Sequence, residues 1–308
     1  MVQFRLEKGG VPMKTKASVS VILAGVLWGC INLFVRRLSA AGLTSMQIAL
    51  ARLAVAAVLF CAFLLIRDRS RFRIDWRDLW MFFGTGVISV VFFSCCYFYT
   101  MVHGQASIAV VLLYTSPVFV MLFSSVLFKE AITRRKLLAL CLTTAGCICV
   151  SGLLSGSLSV TPLVFLSGIA SGLLYALYTI FGRYALKKYD TFTVTAYTFL
   201  FAFAGALFVG DPCGLAVTIK AQPGLLLPLA GIAVVSTVLP YFLYTWGLQH
   251  IDPGKAAILV AVEPVVGSLI GMTVFGEPHD LPKLTGITLI IAAIITLNSR
   301  STPGQDSV

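Results

Sequence analysis

Charge is what this chain has least of. Of its 308 residues, 11% are Asp, Glu, Lys or Arg and 58% are hydrophobic, and the mean hydropathy is +0.96. Soluble globular domains carry about 25% charged and about 45–50% apolar residues. So small a polar fraction does not cover a water-soluble fold, and the bilayer is the solvent that suits this composition. Acidic residues are the scarcer sign: 12 Asp and Glu face 23 Lys and Arg, for a net charge of +11. In a soluble chain that excess would suggest nucleic acid as a partner. No nucleic-acid module accompanies it, and basic loops of a membrane protein account for it, so no such partner is expected.

Several chemical motifs are also missing. Without a G-x-x-x-x-G-K-[ST] loop, direct ATP drive by this chain is excluded as the working reading. The lack of H-E-x-x-H, of G-x-S-x-G and of paired mid-membrane carboxylates argues against zinc, serine and aspartyl hydrolases, and no enzyme is expected. There is no TVGYG-like filter to support a potassium-type channel. The eight cysteines (Cys30, Cys61, Cys95, Cys96, Cys141, Cys147, Cys149 and Cys213) include no C-x-x-C pair and no His at ligand spacing. They read as small hydrophobes, so no disulfide, metal or cofactor is anticipated.

What is abundant is apolar sequence in lengths that span a bilayer, about 20 residues each. Ten such runs are predicted, at 17–35, 47–66, 79–101, 107–128, 137–154, 162–182, 192–209, 225–247, 256–275 and 284–297. The first follows Arg5, Lys8, Lys14 and Lys16 and resembles a signal peptide. It is long enough to span, however, and lacks a small-residue cleavage site, so it is read as a membrane span, with Met13 an alternative start. Connections are brief, polar or rich in Gly and Pro, and no soluble domain is foreseen.

Orientation follows from the basic residues. With the N-terminus inside, cytoplasmic segments hold 18 of the 23 Lys and Arg, including Arg67, Arg69, Arg71, Arg73 and Arg77. Outer segments hold Arg36, Arg37, Lys220 and Lys283, and Arg52 lies within a span. The bias predicts a multi-pass protein of the cell (inner, cytoplasmic) membrane with both termini cytoplasmic.

The chain also repeats itself. At an offset of 147, Gly25, Phe34 and Arg36 fall on Gly172, Phe181 and Arg183; Tyr97 and His103 fall on Tyr244 and His250. Pro117, Phe128 and Glu130 fall on Pro264, Phe275 and Glu277. Matching Pro, Glu, His and Arg at one offset in an apolar chain points to duplication. Each copy has five spans, so the second enters from the opposite face. The expected fold is all-α, with ten transmembrane helices as two inverted five-helix repeats. It comprises a tail (1–16), the first repeat (17–154), the second (162–298) and a C-terminal tail (299–308). Inverted repeats are a hallmark of secondary transporters.

The residues that carry a family resemblance run in order along both copies. The first span has Gly25-x-x-Trp28-Gly29, and the second Gln47-x-x-x-x-Arg52. The fourth has Pro117 with Phe128-Lys129-Glu130, and the ninth Glu263-Pro264 with Phe275-Gly276-Glu277. In this the chain resembles the drug/metabolite transporter superfamily in its ten-helix EamA form, over about residues 17–298. The resemblance implies metabolite movement, often export of amino acids or related compounds, and no single substrate. Lys129, where the family ending is Gly-Glu, is a departure.

Charges inside a bilayer cost several kcal/mol and face a cavity or a partner. Glu263, near the midplane, is expected to bind a cationic group or carry a proton, or else to cap backbone or pair with Arg52. Arg52, placed in the inner-to-middle third of its span, is expected to be structural. Pro117, Pro240 and Pro264 interrupt their spans and are hinge or gate candidates. Trp28, Asn32, Tyr97, Tyr114, Tyr175, Tyr178, Thr179 and Tyr244 are expected to join Glu263 in lining a cavity for a small, mostly apolar or aromatic zwitterion. His103 and His250 are read as interfacial. Gly25/Gly29, Gly168/Gly172 and Gly267/Gly271 are assigned to helix packing within the fold or in a dimer. A monomer or homodimer is compatible. The alternatives are a nucleotide-sugar or phosphate-ester exchanger, which wants more cationic groups than Arg52, and a membrane-embedded enzyme or lipid flippase component.

Overall fold

The computed structural model of the chain describes residues 12–104, 106–153 and 161–299. Arg5, Lys8, Leu154 and Arg300, which the sequence reading places in the tails or at the end of the first repeat, lie outside the described residues.

Every regular element among the described residues is helical. The first repeat comprises α1 (Met13–Gly29), α2 (Ile31–Ala40), α3 (Ser45–Arg67), α4 (Leu79–Phe83), α5 (Phe93–His103), α6 (Ala106–Leu113), α7 (Ser116–Leu127) and α8 (Arg134–Val150). The second comprises α9 (Pro162–Ala185), α10 (Thr191–Ala206), α11 (Pro212–Ala221), α12 (Leu226–Ala233), α13 (Leu239–His250), α14 (Pro253–Leu259), α15 (Glu263–Val274) and α16 (Leu281–Asn298). Among these residues eight continuous stretches are long and apolar enough to cross a membrane, and α8 and α10, with 17 and 16 residues, complete ten.

Several boundaries differ from the sequence reading. The first span does not stop before Arg36-Arg37: it bends at Cys30 and continues to Ala40, so both arginines are helical. The fifth starts at Arg134, because the Thr133 side chain caps the Lys136 N–H. The last begins at Leu281. The short α11 falls in what looked like a plain connection. Asp211 caps its Gly214 N–H and also accepts from Gln47 Nε2 at 3.0 Å, tying α11 to the start of α3.

Mate helices establish the inversion. In α3 and α10, which correspond across the repeat, Phe60 stacks on Phe199 and Phe63 on Phe192, while Leu50 abuts Gly210. Ascending residues on one helix meet descending residues on the other, so the pair is antiparallel. In α8 and α16, another mate pair, Gly146 lies against Gly286 and Ile290, and Gly286 against Val150, again antiparallel. Two copies whose equivalent helices run oppositely are related by a two-fold axis across their common interface, which is the inverted arrangement.

Small residues let the first span of each copy approach the broken fourth span of the other. A Cβ on Gly25 would sit 2.7 Å from the Val260 carbonyl oxygen, and one on Gly172 2.7 Å from that of Leu112. The glycine pairs of α1 and α9 therefore pack inside the chain.

At one end, the loop bearing Arg67 to Arg77 is fastened to the α9–α10 turn. Lys188 donates to both Asp78 oxygens at 2.8 and 3.0 Å, Tyr189 donates to Asp78 at 2.6 Å, and Arg71 pairs with Asp190 at 3.0 Å. The Asp78 carboxylate raises the Lys188 ammonium above its ordinary pKa. We call this the basic end, and the end where α2 and α5 finish the mouth end.

Candidate functional site

Four interruptions in the helices create the site. The fourth span breaks at Tyr114-Thr115, and the ninth passes through a 3-10 turn, Val260–Val262; α7 and α15 then restart with Pro117 and Pro264 at their second positions. Proline has no N–H to give and fits the first turn of a helix, where none is needed. The eighth span contains a π turn, Val234–Val238, before Pro240, and the third a longer one, Gly84–Phe92, with Phe93 where the mate has proline. All four irregularities surround the middle of the bundle. Each frees backbone groups where the lipid offers no partners.

Between them lies a cavity of about 190 Å³. Its lining runs from mid-bundle, at Trp28, Tyr175, Tyr241 and Glu263, to Val35, Ser45 and Met101 at the mouth end. A third of the lining residues are aromatic. Trp28 meets Tyr241 edge-on with centroids 5.0 Å apart, and Phe93 lies 5.7 Å from Tyr97 and 5.4 Å from Tyr175.

Two opposite charges face this space. Arg52 is 8% exposed and donates to the Thr237 hydroxyl at 3.5 Å, with the Tyr241 hydroxyl also in reach. The Glu263 carboxylate has the Tyr114 hydroxyl as its hydrogen-bonding neighbour. Among the described residues neither charge forms an ion pair. An ionised group taken out of water without a partner is costly, so a site that holds one of each sign is complementary to a molecule carrying both. Arg52 lies seven residues into α3, about 10 Å along it, in the third nearest the mouth end. Arg52 is thus part of the cavity wall.

Below the cavity, toward the basic end, the bundle is shut. Tyr178 and Thr245 share a hydrogen bond of 2.8 Å, as do Thr179 and Tyr244, and Arg183 Nη1 donates to the Leu248 carbonyl at 2.6 Å. The sequence-predicted set therefore divides. Trp28, Asn32, Tyr97, Tyr175 and Glu263 line the cavity, whereas Tyr178, Thr179 and Tyr244 form the plug beneath it. Tyr114 sits behind Glu263 in a small core with Cys147 and Val265. The sequence reading did not single out Tyr241, Phe93, Phe98 or Met101, which also line the wall. Tyr241 is adjacent to Pro240, the one hint the sequence offered. His103 and His250 cap their own helix ends, each ring bonded to the carbonyl four residues earlier.

Known proteins share this architecture. One solved crystal structure superposes with a TM-score of 0.77 at 16% identity, covering 92% of this chain and 96% of its own, a likeness of fold alone. An uncharacterized transporter of Archaeoglobus fulgidus is 29% identical over 300 residues, covering 96% of this chain and 98% of the relative. The uncharacterized inner membrane transporter YicL of Salmonella typhimurium is 25% identical, over 92% of this chain and 95% of its own. The model of the EamA-like transporter family matches twice, at residues 15–152 and 162–299, one match per inverted copy. Ten membrane spans in two antiparallel copies around one central cavity, with that double match, make this chain a membrane transporter of the EamA-like family, within the drug/metabolite transporter superfamily.

Proposed function

We propose that the chain is a secondary exporter of neutral or aromatic amino acids, or related small zwitterions, working by alternating access in the cytoplasmic membrane. The observation that carries this reading is the pair Arg52 and Glu263: opposite charges, unpaired with each other, in one aromatic cavity. Arg52 offers the forked donor set that suits a carboxylate, and Glu263 an acceptor for an ammonium. Trp28, Tyr97, Tyr175 and Tyr241 supply stacking faces for the side chain. The cavity is smaller than the roughly 300–1,000 Å³ typical of drug-sized ligands, which favours a single amino acid over a nucleotide sugar. With Arg52 as its one cation, it is also poorly equipped for a phosphate ester. Both termini are assigned to the cytoplasm on the distribution of Lys and Arg, and the inner-membrane location given in the name of the Salmonella relative supports the compartment.

Proteoliposome counterflow with labelled amino acids tests the reading. Saturable exchange is expected, lost in Glu263→Gln and weakened in Arg52→Gln. Exchange indifferent to both substitutions, or a preparation that moves only lipid, would defeat it.

A further inference from the structure

The two copies carry equivalent arginines, and these arginines are engaged differently. Arg36 and Arg183 are repeat mates, as are Glu277 and Glu130, Phe275 and Phe128, and Lys283 and Lys136. At the mouth end, Arg36 pairs with Glu277 and lies 3.9 Å from the centroid of the Phe275 ring, while Lys283 reaches the other Glu277 oxygen at 3.4 Å. At the basic end, Arg183 does not take the corresponding acid. It donates to the carbonyls of Leu248 and Gln249, at 2.6 and 3.2 Å, and so bridges α9 to the last turn of α13. Glu130 is held by Lys136 at 2.6 Å and by the Gly254 N–H at 3.3 Å, and an open groove separates it from Arg183. Lys187 lies over Phe128 in the arginine's stead, 4.9 Å from the ring centroid.

The difference correlates with what each end does. The end whose arginine bridges to helix carbonyls is shut, and the end whose arginine rests on a glutamate is open. The plug follows the same rule: Thr179 bonds Tyr244 at the shut end, while their mates Asn32 and Tyr97 line the open cavity and are not bonded to each other. We propose that Arg36 and Arg183 are alternating latches. At the closed end the arginine ties its own copy together, from the first span to the end of the third. At the open end it crosses to the glutamate of the other copy. In the opposite state Arg36 donates to the Met101 and Val102 carbonyls and Arg183 pairs with Glu130. Both positions suit a guanidinium. The last carbonyls of a helix lack intrahelical partners and carry its negative end, and the carboxylate offers a salt bridge. The exchange therefore strands no charge beside lipid, and neither state becomes a trap. The latch rests on the alternating-access part of the proposed function and is independent of the substrate.

Hydrogen exchange on the full chain in lipid nanodiscs tests it, read at the ends of α5 and α13. Glu277→Gln removes the carboxylate charge that Arg36 meets only when the mouth is open. Exchange at the α5 end is expected to slow and that at the α13 end to quicken, by about threefold, the size of a half-exposed ion pair. Glu130→Gln is expected to do the reverse. Glu277→Asp, which keeps the charge but shortens the reach, serves if the glutamine variant does not fold, and is expected to act in the same direction. Tyr244→Phe loosens the plug without touching either latch. Reciprocal changes there but none in the glutamate variants would overturn the latch and leave alternating access standing. No reciprocal change in any variant would overturn both, and the two glutamate variants shifting the same way would overturn the latch.

Discussion

At the scale of single residues, the sharpest expectations concern Arg52, Glu263 and Lys129. A hydrogen bond to a charged group is worth about 1.5–3 kcal/mol, so losing one raises an apparent KM by about 10–150-fold at constant maximal rate if the group only binds. Arg52→Lys keeps the charge and loses the fork, and is expected to raise KM for the carboxylate-bearing substrate; substrate-dependent flux at several concentrations measures it. Glu263→Gln is expected to lose counterflow together with pH-driven accumulation, because the carboxylate holds the ammonium; counterflow retained with accumulation lost would instead mark Glu263 as a proton carrier alone, so the two assays separate the roles. Lys129 has φ 54, the left-handed region, where its mate Gly276 has φ 66. In both copies this residue closes the helix, with the following glutamate N–H reaching back to Ser124 or Gly271 at 3.2 and 3.0 Å. A side chain there costs about 1–2 kcal/mol. Lys129→Gly is therefore expected to raise the melting temperature in detergent, with transport intact.

At the scale of elements, the site is a consequence of interrupted helices. Pro264 and Pro117 keep α15 and α7 from fusing with the segments before them. Pro264→Ala restores an N–H and is expected to favour a continuous ninth span, lowering transport several-fold by initial-rate assay while leaving the fold in place. Close approach of α1 to the ninth span is the complementary requirement. Gly25→Leu forces a side chain against the Val260 carbonyl and Val262, and overpacking of this kind costs about 1–3 kcal/mol. A lower melting temperature is expected, and Gly172→Leu is expected to match it because the contact is duplicated. The proline breaks could be read from the sequence, since proline declares its effect on the backbone. The bend at Cys30 and the π turn Gly84–Phe92 could not, because no residue there forbids a regular helix and neighbouring packing decides. The helix α11 was missed for its length, since ten residues between two turns carry too little periodicity.

At the scale of the whole molecule, antiparallel mate helices mean that equivalent points of the two copies lie at opposite ends. Tags at the N-terminus and in the connection between α8 and α9 are expected on opposite faces of the membrane, by protease protection in oriented vesicles. Finding both on one face would contradict the five-span copies.

The sequence by itself determined the solvent, the duplication and the inverted topology. Composition leaves the bilayer as the only medium, and rare polar residues keep a constant offset visible through an apolar background. It also supplied most of the chemistry of the cavity, because charges and aromatics within spans are scarce enough to name. It did not decide which member of each mate pair faces the cavity. Asn32 and Thr179, or Tyr97 and Tyr244, occupy equivalent positions in a duplicated sequence, and only the packing of the two copies in one conformation makes one pair wall and the other plug. The place of Arg52 in the cavity wall was hidden for a related reason. A lone charge in a span is compatible with a buried partner or an open cavity, and only the tertiary arrangement brought it to the same space as Glu263 without pairing the two.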